Sequence, residues 1–165
     1  MGTAAQKMLT DVGSEEVVDA LDRLWCYEQL VRHWCEAVEH RLTGFGVFLV
    51  PTELRNQAAL ATGHATRLAA RVNQLGGVCT ADPTEFVERS PIDGFDLPAD
   101  LTDPMAVLAD ALAMEQDVIA RYARLISDYD RRDVITHQLL IGIATDKTAR
   151  EDELEAVMTR PTPEP

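Results

Sequence analysis

A chain of 165 residues with 46% hydrophobic and 26% charged residues has enough apolar side chains for one domain with a substantial core, and its composition is that of neither a disordered nor a membrane-spanning protein. The 28 acidic residues outnumber the 15 basic ones to leave a formal charge of −13, with Lys7 and Lys147 the only lysines. A field of that sign repels a phosphate backbone and no Lys/Arg-rich tail offers a local exception, so nucleic acid is not expected as a partner; nor is a membrane, since the longest apolar runs are far shorter than a spanning helix needs.

The opening "MGTAAQKMLTDVG" lacks the charged-then-apolar layout of a secretory signal, which makes a cytoplasmic location the expectation. Cys26, Cys35 and Cys79 are odd in number and without CxxC spacing, and read as reduced thiols rather than a disulfide framework or zinc site. The acidic balance suits a solubility requirement, a high-salt cytoplasm or attraction of cations, and composition does not choose among these.

Residues 1–13 read as a flexible N-terminal segment. A first helix is predicted to open at Ser14 as N-cap, with two glutamates following at the positive end of the dipole, and to run to about Leu42. Its stripe, Val17, Leu21, Leu24, Glu28, Val31, Cys35, Val38 and Leu42, alternates four-three spacings as a bundle seam does, with Glu28 in its middle. The linker "TGFGVFLVP" is apolar enough to suggest a subunit contact. A second helix follows from near Thr52 to the Gly76-Gly77 stop, with Leu54, Ala58, Ala61, Ala65, Leu68, Val72 and Leu75 as its stripe and His64 at the stripe's edge.

Residues 76–103 are rich in Pro, Gly and Asp and too long for a tight turn. Asp82-Pro83 starts a short helix through Arg89, and the remaining stretch, about fourteen extended residues at ~3.3 Å each, reaches roughly 45 Å, the length of a bundle. A third helix begins at Pro104 after the cap Asp103 and carries Leu108, Leu112, Glu115, Ile119, Tyr122 and Ile126. The fourth starts near Asp133, and residues 159–165, "TRPTPEP", read as a disordered tail. The fold class is therefore all-α, a four-helix bundle over residues 14–158 with one long crossover between its second and third helices, the connectivity of the ferritin-like class.

The fourth helix poses the question of function. In "GIATDKTAREDELEAVM" the stripe of Leu140, Ile143, Leu154 and Val157 passes through Lys147 and Arg150. Cations on a buried face require partners. Each helix contributes a polar residue near its middle, so the central layer holds Glu28, His64, Glu115, Lys147 and Arg150. One carboxylate on each of two helices plus a Glu-x-x-His pair on each of the other two is how such a bundle builds a di-iron or di-manganese site; here only the first half of that pattern is present. Two carboxylates facing two permanent cations form instead a layer neutral without metal, in which Arg150 can grip a carboxylate with two hydrogen bonds. Alternatively Lys147 snorkels to water and Asp146 turns inward, Glu28 and Glu115 lie on the bundle surface, or His64 is a hydrogen-bonded core residue.

These residues also carry a resemblance. "YEQL", "GHATRLAARVNQLGG", "ADPTEFVERSP" and "AMEQDVIARYARL" resemble the ligand-bearing helices and crossover of the ferritin-like superfamily, and within it the bacterioferritin and archaeal-type Dps-like proteins. The resemblance makes Glu28 and Glu115 the two single glutamate ligands and His64 the second-helix histidine, while Ala61 replaces the family's second-helix glutamate and Lys147 and Arg150 replace its fourth-helix Glu-x-x-His. The cysteine pair of many archaeal-type members is replaced by Ile92 and Asp117. It implies a homo-oligomer of shell-like form that handles iron or another metal, with a di-iron centre degenerated into a salt-bridge network of Glu28, Glu115, Lys147 and Arg150 and no metal cofactor if that network holds. The alternatives are an active ferroxidase and iron-storage protein using Glu28, His64, Glu115 and Asp146 as metal ligands, and a non-catalytic partner co-assembling with an intact ferritin-like relative.

Overall fold

The computed structural model describes residues 13–93 and 95–159. The expected flexible N-terminal segment and the tail, apart from Gly13 and Thr159, lie outside the described residues. In chain order the elements are α1 (Ser14–Glu39), the single turn α2 (Gly46–Leu49), α3 (Pro51–Gln74), a 3₁₀ turn (Pro83–Glu85) leading into α4 (Phe86–Arg89), α5 (Pro104–Tyr129) and α6 (Val134–Thr159). Among the described residues there is no strand, and the four long helices make the expected bundle.

Contacts along the helices fix their directions. Arg55 pairs with Glu39 at one end of α1 and α3, His64 approaches Glu28 midway, and Gly77 lies against Val18 at the other end, so the two are antiparallel. Arg150 with Glu53, Asp146 with Arg67 and Thr136 with Arg71 make α6 antiparallel to α3. The tight turn at 130–133 returns α5 against α6. Hence α3 and α5 run the same way, and the chain must travel the length of the bundle between them. It does so along α1: Thr80 donates to Asp22 twice at 2.7 Å, Arg89 holds Asp19 and Asp22 at 2.8 Å, Trp34 Nε1 donates to the Asp96 carbonyl at 2.9 Å, and Thr43 N donates to the Leu101 carbonyl at 3.3 Å.

The helix ends follow their sequence signals with one correction. Ser14 is the first helical residue; the N-cap position belongs to Gly13, with no side-chain cap bond. At the end of α3, Gly76 takes φ 84°, and Gly77 N and Gly76 N donate to the Val72 and Asn73 carbonyls at 3.0 Å, which satisfies acceptors that the last turn leaves open. Asp103 Oδ1 accepts from Met105 N at 2.8 Å. Asp103→Ala should therefore cost about 1 kcal/mol in denaturant unfolding, the usual loss for an N-cap, whereas Ser14→Ala should cost less than half as much.

Every residue of the first-helix stripe is buried, from Val17 at 0% to Leu42 at 8% exposure. The buried face of α5 is displaced by a neighbouring line of residues. Val107, Ala111, Met114 and Val118 join Leu108, Glu115 and Tyr122 inside, while Leu112, Ile119 and Ile126 lie half-buried at the margin. A four-three seam describes contact with one partner, and α5 is packed against α6 on one flank and α1 on the other.

Candidate functional site

The four helix centres meet in one layer. Glu28 follows Leu24 and precedes Val31 on α1, His64 follows Ala61 on α3, Glu115 follows Leu108 and Ala111 on α5, and Lys147 follows Leu140 and Ile143 on α6. The same periodicity that buries those apolar neighbours carries the polar side chains inward. All four are nearly inaccessible, Glu28 completely so and Lys147 2% exposed.

Lys147 Nζ stands 3.0 Å from Glu28 Oε1 and 3.5 Å from Glu115 Oε2. It also lies 5.1 Å from the centroid of the Tyr27 ring and 6.0 Å from that of Tyr122, so aromatic faces complete its surroundings. Tyr122 OH donates to Glu28 Oε1 at 3.3 Å, Gln57 Nε2 donates to Glu115 Oε1 at 3.1 Å, and Tyr27 OH donates to the Met114 carbonyl at 3.1 Å. His64 Nδ1 and Glu28 Oε2, each without a hydrogen bond, face one another at 3.6 Å.

The electrostatics follow from burial and these contacts. Burial alone pushes the Glu28 carboxyl up, but the Lys147 ammonium and the adjacent His64 outweigh it and hold Glu28 below the ordinary carboxylate value. For Glu115 burial wins: the more distant Lys147 offsets it only in part, Glu28 adds to it, and the carboxyl is raised. Burial pulls Lys147 down, yet two carboxylates more than compensate and its ammonium is raised above its ordinary value. Burial, reinforced by the carboxylates, drives Tyr27 and Tyr122 well up, so both remain hydroxyl donors. Glu28 and Lys147 thus form the ionised pair, and of the two carboxyls Glu115 takes up a proton the more readily.

Arg150 is buried but goes elsewhere than the sequence suggests. Its guanidinium bonds Glu53 Oε2 at 2.7 Å and the Glu53 carbonyl at 2.8 Å, with Glu153 Oε2 at 3.1 Å; its ion pairs are with Glu53 and Glu153, not with Glu28 or Glu115. Three residues along α6 displace it ~4.5 Å from Lys147, toward the first turns of α3. Lys147 points inward rather than snorkelling, and Asp146 sits at the rim with its side chain 41% exposed. Asp146 Oδ2 is 3.2 Å from His64 Nε2 and accepts from Arg67 at 2.9 Å. Glu53, Gln57 and Arg67 were not marked by the sequence reading. Gln57 could have been, since it precedes Ala61 by four residues and His64 by seven on one helical face.

The donor set does not fit a pair of metal ions. Two carboxylates and one imidazole converge, but the buried Ala61 a turn before His64 supplies no donor, and Lys147 Nζ occupies the space between the acids. The remaining cavity, lined by Glu28, Gln57, Ala61, His64, Glu115 and Lys147 among others, has a volume of about 10 Å³. That is at most the room for one water. A second buried pair lies toward the far end of α3: Arg71 holds both oxygens of Asp133 at 2.9 Å and donates to Thr136 at 3.0 Å, and hydrogen bonds to Asp133 from Thr136 and Arg71 keep its carboxyl below its ordinary value despite burial.

Antiparallel helix pairs joined by a long crossover, with carboxylates and a histidine meeting at mid-height, define a ferritin-like bundle. The chain belongs to the ferritin family: the ferritin-like domain matches residues 27–161. Among solved structures it is similar to a dodecameric thioferritin, the bacterioferritin-related protein of Bacteroides fragilis (22% identity, 94% of this chain and 89% of the other, TM-score 0.82). It is likewise similar to a mutant of Dps1 from Mycobacterium smegmatis (21%, 91% and 99%, TM-score 0.80) and to an archaeal Dps homologue from Halobacterium salinarum (23%, 92% and 84%, TM-score 0.79). At these identities the likeness is one of fold. Comparison with curated proteins gives no match. Among the described residues no helix is long and apolar enough to cross a membrane.

Proposed function

We propose that this chain is a Dps-like subunit that handles iron as a homo-oligomeric, shell-like assembly, and that its own di-iron position has been given over to the Lys147 ammonium. The observation that carries this reading is Lys147 Nζ at 3.0 Å from Glu28 and 3.5 Å from Glu115, where it supplies the positive charge that two carboxylates would otherwise take from metal. In this reading the Lys147 ammonium, the Tyr122 hydroxyl and the Gln57 amide partner Glu28 Oε1 and both Glu115 oxygens, leaving Glu28 Oε2 facing His64, and iron is cargo met at acidic surfaces rather than a resident of the layer. Assembly is supported by membership of the ferritin family and by the exposed Phe45 and Phe48, at 72% and 81%, beside half-exposed Val47 and Leu49 on α2.

Aerobic Fe(II) oxidation followed on purified full chain is the test. The expected rate is that of Fe(II) in buffer alone, while native mass measurement gives a multiple of the 18.2 kDa subunit. Stoichiometric oxidation well above the buffer rate would overturn the reading in favour of a ferroxidase using Glu28, His64, Glu115 and Asp146. The contact of Asp146 with His64 is the observation that favours that second reading.

A further inference from the structure

Arginine placement on this acidic chain is uneven. Of the described arginines, Arg32, Arg55, Arg67, Arg71, Arg89, Arg131 and Arg150 have carboxylate partners, and Arg41 and Arg132 bond main-chain carbonyls. Arg23, Arg121 and Arg124 have no ion pair or hydrogen bond among the described residues, and all three line the same groove between α1 and α5. The groove has a volume of about 410 Å³, within the usual range for small-molecule sites, and includes the half-buried apolar side chains of Leu125 and Pro91. Its acids are Glu16, Asp19 and Asp128, of which Asp19 is taken by Arg89, so Arg23, Arg121 and Arg124 outnumber the two remaining carboxylates on a chain of charge −13.

The spacing makes this a designed face of two helices. Arg121, Arg124 and Asp128 follow one another at three and four residues on α5, and Glu16, Asp19 and Arg23 do so on the facing α1, so the side chains project into the same channel. Planar guanidinium groups hold a phosphate through paired, charge-assisted hydrogen bonds. An apolar floor and two carboxylates not already committed, Glu16 and Asp128, suit a ligand body that has a flat apolar surface and hydrogen-bond donors.

We infer that the α1–α5 groove binds a small phosphate ester with an apolar, donor-bearing body, its phosphate held by Arg23, Arg121 and Arg124 and its body lying over the half-buried Leu125 and Pro91. This site lies outside the Glu28–Lys147 layer and does not depend on how that layer treats iron.

Titration calorimetry of the full, assembled chain with adenosine 5′-monophosphate tests it, with inorganic phosphate and adenosine as separate arms. Saturable binding of the nucleotide is expected, tighter than either fragment, and the double variant Arg121→Gln/Arg124→Gln should weaken it by more than about tenfold, the consequence of losing hydrogen bonds to a charged group. Arg32→Gln, which removes an exposed arginine already paired with Glu36, should leave it unchanged. Absence of saturable heat with the nucleotide, or equal affinity in the double variant, would overturn the inference. Affinity for inorganic phosphate equal to that for the nucleotide would overturn the role of Leu125 and Pro91. Tighter retention of a single-stranded oligonucleotide, lost in the double variant, would replace the small ligand with a polyanionic macromolecule.

Discussion

Lys147→Met is expected to lower the stability of the chain by about 3–5 kcal/mol at neutral pH, the cost of removing one partner from a buried ion pair. At ~2–4 °C per kcal/mol for a domain of this size, the unfolding midpoint falls by roughly 6–20 °C. Methionine keeps the unbranched stem and its contact with the rings of Tyr27 and Tyr122, so lost packing contributes little. What remains is a pair of buried carboxylates with no counter-cation. Adding Glu28→Gln should restore a large part of the loss, because it removes the ion left behind.

The pH profile separates this explanation from simple loss of packing. In the parent, Glu28 is held below its ordinary value of 4.5, so its contribution is present above that pH and is lost as pH falls through the folded value. Lys147 is raised above 10.5, so its contribution is complete below that pH and is lost only as pH rises through the folded value. Glu115, already raised by burial, acts oppositely to Glu28 in acid, since its folded form binds a proton more readily than the unfolded chain and is stabilised as pH falls toward 4.5. Without Lys147 both carboxyls shift upward, and the variant gains stability on acidification from pH 7 toward the ordinary carboxylate range. The difference in midpoint between parent and variant should therefore narrow as pH falls. A constant difference from pH 5 to 8, measured by thermal unfolding, would show that the ammonium is not what the two glutamates depend on.

Much of this architecture can be read from periodicity. Stripes broken only by Glu28, Glu115, Lys147 and Arg150, with His64 at the edge of its own, place those side chains inside, because the apolar residues along each stripe carry them into the core. Pro and Asp at 103–104 and Gly76-Gly77 mark helix ends through backbone geometry that is local and hence visible in sequence. The destination of Arg150 is not local. Its choice of Glu53 over Glu115 depends on the relative heights of α3 and α6, and a long side chain can satisfy its charge in either direction. Arg71 and Asp133 were hidden for the same reason: sixty-two residues separate them, and each alone looks like an ordinary helix-end residue. The pairing of α5 with two neighbours, which widened its buried face, likewise depends on packing that a single-helix stripe does not contain.

Restoring the missing ligand types is the most demanding test of whether a cation has replaced metal. The triple change Ala61→Glu, Lys147→Glu, Arg150→His completes a Glu-x-x-His pair on α3 and on α6, which the family resemblance makes the ligand pattern of the bundle. In the layer where Glu28 is fully buried it takes away the Lys147 charge and adds two carboxylates, so without metal the carboxylates repel one another and the variant melts well below the parent. Arg150→His also strips Glu53 of its partner, a loss of about 1–3 kcal/mol that metal does not repair. The variant Arg150→His alone measures that part and is subtracted. Divalent iron, cobalt or manganese should then raise the midpoint of the triple variant by mass action, at ~4 kcal/mol when free metal exceeds its dissociation constant a thousandfold, while the parent barely responds. Equal responses from parent and variant would show that the layer formed by Glu28, His64, Glu115 and Lys147 is not where metal acts on this fold. A strong response of the parent alone to stoichiometric iron would show that its existing residues already hold the metal, with Lys147 displaced rather than substituting for it.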